Sequence, residues 1–240
     1  IGGEWVEPGD GGRFDDTDPF TGDVVAHVAA GTRDDARAAV EAAAAAFPEW
    51  SRTPPAVRQA IFLKAADVLE SRRDEVVEWL ARETGCTFGF GMFQMGFVPG
   101  LFRQAAGAAY APTGTVVPSD LPGAFAMGVR RPVGVVGAIS PWNAALILSA
   151  RSIAAPLVFG NTVVLKPSEE SPYVGGLLSG EIFAEAGLPP GVLNIVTHGR
   201  GEAGPIADEM VESPHVRRIN FTGSTATGPK LAEAAGRNLK

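Results

Sequence analysis

The 240 residues include a single cysteine, Cys86, which excludes a disulfide framework within the chain and the ligand spacings of a Cys-based zinc site. No metal centre is expected, and a lone thiol suits a reducing cytoplasm, the expected location. Positive charge is also scarce. Against 27 Asp and Glu stand 20 Lys and Arg, a net charge of -7, so the chain lacks the global basic field that recruits nucleic acid or an anionic membrane. Small neutral or anionic molecules held locally are the expected ligands. The longest apolar run is broken by glycine and charge and is too short to cross a bilayer. The opening stretch IGGEWVEPGD has neither a basic n-region nor an apolar h-region, and it starts at Ile1 rather than at an initiator methionine.

What is present is an apolar content of 45%, enough for one large or two modest domains with a real core. Thr32, with Asp35 three residues on, predicts a capped helix start, and the Ala-rich run Ala36 to Ala46 extends that helix to Pro48. A second helix is predicted from Ile61, Ala65, Val68 and Leu69, continued by Val76 and Leu80 and closed by Gly85 as a left-handed cap. Next comes FGFGMFQMGFVPGLF, Phe88 to Phe102. Its five Phe and two Met suit a core, an interface or the wall of an apolar pocket alike.

From Gly114 to Pro132, turn-rich residues suggest strands around a loop, and after them the texture changes. VGVVGAIS, NTVVLKPSE, GVLNIVTH and VRRINFTGS are β-branched runs. Between them lie expected helices from about Ala145 to Phe159, up to Gly187-Leu188-Pro189, and near Ile206 to Met210. Near-continuous apolar strands alternating with helices predict an α/β fold with a parallel sheet covered on both faces. Ligands of such sheets bind beyond the carboxyl ends of the strands.

Three strand ends run into chemistry. The first leads to Pro141-Trp142-Asn143, the second to Lys166-Pro167-Ser168-Glu169 and the fourth to TGSTATGPK. The last loop is not a triphosphate loop, because Gly228 is followed by Pro229 before Lys230 and no Lys-Ser pair is present to hold magnesium. Gly223 admits close backbone approach, Ser224 offers a hydroxyl, and Pro229 can open a helix whose N-terminus favours a phosphate. These features suit a pyrophosphate; a tight connection with no ligand is the alternative. Lys166 and Glu169 can engage ribose hydroxyls as acidic residues do in dinucleotide sites, or simply form a solvated pair.

In this order, GVVGAISPWN, NTVVLKPSEESP, GLPPGVLNIV and INFTGSTATG resemble the aldehyde dehydrogenase superfamily. GEWV, DPFTGDVVAHV and ETG at Glu83 to Gly85 extend the resemblance over essentially the whole chain, and its details look nearest to bacterial benzaldehyde, salicylaldehyde and vanillin dehydrogenases. It implies a Rossmann-like parallel sheet with flanking helices, a helical and approach segment over residues 1–113, an oligomerisation arm over 114–132 and a dinucleotide-binding domain over 133–240. It also implies NAD, with NADP possible, and assembly as a homodimer or homotetramer.

By the same resemblance, Asn143 matches the side-chain donor to the oxyanion formed when a thiolate attacks the aldehyde. From residue type alone, Asn143 could instead merely cap the helix that follows it. Lys166 and Glu169 match the grip on the adenosine ribose, and Ser224 with Gly223 matches the pyrophosphate contact. The expected cofactor site further takes in Ile139, Ser140, Pro141, Trp142, Ser168, Gly204, Phe221, Thr222 and Thr227. With Asn143 at the oxyanion, Ala144, Ile147, Leu148 and Arg151 share one helical face toward the aldehyde, and Phe93 and Phe97 supply the opposite wall. Arg151 either snorkels or pairs with a carboxylate, or stacks on or bonds an aromatic substrate ring.

The family's general-base glutamate and nucleophilic cysteine belong to motifs expected beyond Lys240. A catalytic domain is therefore expected to be absent from these residues, and the 240-residue chain alone inactive. Cys86 has no motif around it and is expected to be an ordinary thiol. A non-catalytic dinucleotide-binding module is the alternative function; a phosphotransferase fails on Pro229.

Overall fold

The computed structural model describes residues 1–10 and 12–240. A short antiparallel pair, β1 (Arg13–Thr17) and β2 (Val24–Ala29), precedes four helices: α1 (Arg33–Trp50), α2 (Pro55–Ser71), α3 (Arg73–Thr84) and α4 (Phe88–Ala108). An antiparallel hairpin follows, β3 (Gly114–Val117) with β4 (Ala126–Val129), its strand residues exposed except for half-buried Ala126. The chain then alternates through β5 (Val135–Ile139), α5 (Ala145–Val158), β6 (Thr162–Lys166), α6 (Leu178–Glu185), β7 (Leu193–Ile195), α7 (Ala203–Glu212), β8 (Val216–Phe221) and α8 (Gly228–Arg237). A π-helical turn, Tyr173–Leu177, leads directly into α6.

Strands β5 to β8 form the parallel sheet anticipated from the β-branched runs, in the order β7-β6-β5-β8. The pleat sends alternate side chains to opposite faces. Val136 and Ala138 of β5, with Val163 and Leu165 of β6, join the core formed with α2 to α6. Val135, Ile139 and Val164 join a second core with Ala36, Ala39, Val40 and Ala43 of α1 and Ile206 and Met210 of α7. The N-terminal helices and the sheet thus share buried surface on both faces.

Local signals in the sequence explain several boundaries. Thr32 caps α1 reciprocally with Asp35, accepting from Asp35 N (3.3 Å) while Asp35 Oδ2 accepts from Thr32 N (2.8 Å). Gly85 ends α3 at φ 66°, a left-handed conformation that glycine adopts without strain.

Two expectations are corrected. Helix α1 does not stop at Pro48 but runs on to Trp50. A proline this near a C-terminus forfeits one hydrogen bond, and Trp50 repays it by burying its indole and donating Nε1–H to the Leu157 carbonyl (3.1 Å). The single second helix is two, divided at Arg72 (φ -99°, ψ 17°). No glycine or proline marks that break. Instead, the Arg72 side chain is tied to Glu75 one turn on (2.6 Å) and, across the fold, to Glu181 (2.8 Å) and the Tyr173 hydroxyl (2.9 Å).

The Phe-rich stretch does two things at once. As α4 it buries Met95, Val98 and Phe102 in the core, while Phe88, Phe90, Phe93 and Phe97 remain exposed.

Candidate active site

Because all four strands of the sheet are parallel, their carboxyl ends lie along one edge. The register places Ile139, the last residue of β5, between Lys166 of β6 and Phe221 of β8. From β5 the chain winds through β6 to β7 on one side and then returns to place β8 on the other, so a topological switch point lies between β5 and β8. Open α/β sheets bind ligands in the crevice at such a point. The loops that flank it are 140–144 and 222–227.

The first loop stands on a buried hydroxyl chain. Ser140 and Ser149 are 2.8 Å apart, and Ser149 Oγ in turn donates to the Gly175 carbonyl. Ser140 N donates to the Lys166 carbonyl (3.2 Å), which continues the sheet pairing one residue past β5. On this base Trp142 and Asn143 stand exposed. Asn143 does not cap α5: the cap residue is Ala144, with no side-chain bond. Its amide therefore faces outward with both donor and acceptor available to a ligand.

At the end of β6, Lys166 is buried at 5% exposure. Its Nζ donates to the Pro167 carbonyl (3.1 Å) and lies 2.6 Å from His198 Nε2. An ammonium has three donors, so one is left for a ligand. Burial lowers the Lys166 pKa to about 8, and the Glu169 carboxylate works in the opposite direction. Ser168 Oγ donates to Glu169 Oε2 (3.3 Å), and Glu169 is only half-buried.

The third loop is exposed from Thr222 to Thr227. Thr222 N donates to the Ile139 carbonyl (3.0 Å), joining this loop to the central strand. Ser224 Oγ accepts from Thr227 N (3.2 Å) and lies 2.9 Å from Thr227 Oγ1, so the hydroxyls gather just ahead of α8, with Pro229 in that helix's first turn. Gly223 is required here for space: a Cβ would meet the Phe221 ring at 2.5 Å. The absence of a side chain is what lets this turn lie flat over Phe221.

Of the remaining expected cofactor residues, Pro141 and Ser168 are half-buried in their loops. Gly204 is exposed at the second position of α7, past β7, so it shares the sheet edge without a polar tie to the others.

On the expected aldehyde side, α4 and α5 pack together. Phe93 and Phe97 are 58% and 43% exposed with ring centroids 6.3 Å apart, and Phe90 stacks on Phe93 at 6.0 Å. Ile147 packs into the core, while Leu148 is half-buried and Arg151 is exposed. Among the described residues no carboxylate pairs with Arg151. Cys86 follows the Gly85 cap and packs at the margin of the core.

Sequence reasoning missed His198, which is fully buried. The signal was available: GVLNIVTH is a strand that runs into a histidine, and the rule applied to the other three strand ends applies equally to this one. A cavity of about 700 Å³ lies elsewhere, between the N-terminal segment, β2 and the region of β7, and none of the strand-end residues named above lines it.

The polar groups therefore lie along the carboxyl edge of a doubly covered parallel sheet, and known proteins share this fold. Vanillin dehydrogenase from Pseudomonas sp. (strain HR199 / DSM 7063) is 45% identical over 240 residues, covering 100% of this chain and 50% of that protein. Benzaldehyde dehydrogenase [NAD(+)] from Pseudomonas putida is 41% identical over 98% of this chain and 47% of its own length. The crystal structure of a salicylaldehyde dehydrogenase from Pseudomonas putida G7, complexed with salicylaldehyde, superposes with a TM-score of 0.97 at 38% identity, over 100% of this chain and 49% of that one. The chain spans about half the length of the curated relatives it matches. The aldehyde dehydrogenase family model matches residues 5–240, and this chain belongs to that family.

Proposed function

We propose that the chain is the cofactor-binding portion of an NAD-dependent enzyme that oxidises an aromatic aldehyde to its carboxylic acid. One observation carries this: Asn143, Lys166 with Glu169, and Gly223 with Ser224 come from three loops in a row along one edge of the sheet, flanking its switch point. NAD fits these residues. The free donor of Lys166 and the Glu169 carboxylate suit the two hydroxyls of a ribose. Ser224, the bare Gly223 backbone and the N-terminal end of α8 suit a pyrophosphate. When bound, NAD supplies the hydride acceptor.

The chain's own residues bind and orient. Glu169 accepts from ribose hydroxyls and repels a 2′-phosphate, which favours NAD over NADP. Asn143 donates its amide N–H to the aldehyde oxygen as negative charge develops there, a contribution worth about 10²–10³ in rate for one such donor. Phe93, Phe97, Leu148 and Arg151 line the approach, with the guanidinium stacking on the ring or bonding a ring hydroxyl. We assign the attacking thiolate and the water-activating carboxylate to the rest of the full-length protein, and in this division residues 1–113 support the cofactor domain 133–240. Residues 114–132 then form an arm that pairs with a second copy in a homodimer or homotetramer. The exposed β3–β4 hairpin supports this last point, since unpaired strand edges are usually protected.

The relatives support an aromatic substrate: their names specify vanillin, benzaldehyde and salicylaldehyde. The test is NADH formation by the full-length protein with benzaldehyde, salicylaldehyde and vanillin against acetaldehyde. A higher kcat/KM for at least one aromatic aldehyde than for acetaldehyde is expected; faster turnover of acetaldehyde than of all three would overturn the substrate class.

A further inference from the structure

His198 lies just past β7 and presents its Nε2 to the Lys166 ammonium at 2.6 Å, while its Nδ1 is 2.9 Å from the Gly199 carbonyl. A carbonyl can only accept, so Nδ1 carries the proton and Nε2 presents a lone pair. With Nε2 presenting a lone pair, the Lys166 ammonium is the donor across this distance and the neutral imidazole the acceptor. Burial keeps His198 neutral by lowering its pKa, and the positive charge of Lys166 adds to this. Glu169 Oε2 is 3.7 Å from Nε2, too far for a hydrogen bond, so the carboxylate is not tied to the ring and keeps only the Ser168 hydroxyl as a partner among the described residues.

We propose that His198 is a positioning residue for the ribose subsite, fixing the Lys166 ammonium beside a Glu169 that the ring does not engage, so that both groups face the ligand. This rests on the dinucleotide reading above. A lysine side chain has several rotatable bonds, and without an acceptor in this buried space its ammonium has only the Pro167 carbonyl to hold it. The charged groups around His198 are Lys166, Glu169 and, on the exposed side, the Arg200–Glu170 ion pair at 2.6 Å. A second proton on the ring would abolish the bond from Lys166 and aim an N–H at Glu169 instead. Both ribose contacts would be lost together.

The test is calorimetric titration of the full-length protein with NAD across a pH series, in the parent and in His198→Ala and His198→Gln. His198→Ala is expected to bind NAD about tenfold more weakly, the scale of one lost charge-assisted bond. His198→Gln, whose amide oxygen can accept from Lys166 but cannot titrate, is expected to recover most of that affinity. It should also lose the weakening of NAD binding expected of the parent on the acid side, below the ordinary histidine range. A merely structural histidine would change unfolding midpoints and leave both the affinity and the acid limb where they were. If the parent binds NAD and His198→Ala binds it equally well, or if the acid limb persists in His198→Gln, the positioning role is overturned by itself. If the parent does not bind NAD, the dinucleotide reading falls and takes this inference with it.

Discussion

Gly176→Ala opposes two effects whose sizes decide its sign. Gly176 lies in the π-helical turn ahead of α6, and replacing a helical glycine with alanine ordinarily stabilises by about 0.5–1 kcal/mol. Here the new Cβ would sit 2.6 Å from Pro167 Cγ, 3.1 Å from Pro167 Cβ and 3.3 Å from Ile195 Cγ2. The proline ring cannot swing away as a flexible side chain would, because its φ is locked and its backbone forms the turn after Lys166. Overpacking of this kind costs about 1–3 kcal/mol, and against a rigid ring the clash outweighs the propensity gain, so the variant should be less stable by up to about 2.5 kcal/mol. Relief by shifting Pro167 would carry Lys166 and Glu169 with it, so NAD affinity should fall as well. Gly107→Ala serves as the control: Gly107 is helical and exposed, with nothing within 4 Å of its added Cβ, and that variant should be slightly more stable than the parent. Urea unfolding of the three proteins, followed by NAD titration, measures both effects. A Gly176→Ala protein as stable as the parent and with unchanged NAD affinity would refute the view that close packing beneath Pro167 sets the ribose subsite.

Other outcomes follow from particular contacts. Burial, helped by the Glu170 charge and opposed by hydrogen bonding to Glu83, raises the pKa of Asp16 from 3.8 to about 6. The folded state therefore holds this proton more tightly than the unfolded one, stability falls as pH rises between these two values, and the penalty is complete above the upper one. Asp16→Asn should accordingly be more stable than the parent by about 1–3 kcal/mol near pH 8, with the difference vanishing near pH 4; a pH-independent difference in unfolding free energy would contradict this. Arg151→Leu should lower kcat/KM for salicylaldehyde by about tenfold and leave acetaldehyde nearly unchanged, as steady-state kinetics will show; equal losses on both would remove Arg151 from the ring contact. Val116→Lys, on the exposed β3, should shift the full-length protein toward monomer in light scattering, and an unchanged mass would argue against the hairpin as the assembly arm.

Much of this architecture was legible because its causes are local. The Thr32–Asp35 capping box, the Gly85 cap and the β-branched runs of β5 and β6 each declare themselves within a few residues. The break at Arg72 does not, since its partners Glu181 and Tyr173 lie far along the chain. Glu83 was visible only as part of a family motif; its carboxylate accepts from Tyr173 N (2.6 Å) and Val174 N (2.8 Å), and burial holds its pKa well above the usual range. At the candidate site, the strand-end rule singled out Asn143, Lys166, Glu169 and Ser224, because it depends only on where strands stop. It cannot report which neighbouring strand end closes on Lys166, and so His198 emerged only from the fold.

The measurement closest to the central claim is a calorimetric comparison of NAD and NADP binding to the full-length protein. If Glu169 lies beside the ribose hydroxyls as proposed, one NAD should bind per chain, and NADP more weakly by about threefold or more, since a 2′-phosphate would meet a carboxylate. Tighter binding of NADP, or no binding of either, would contradict the assignment of these strand ends to a dinucleotide with a free adenosine ribose.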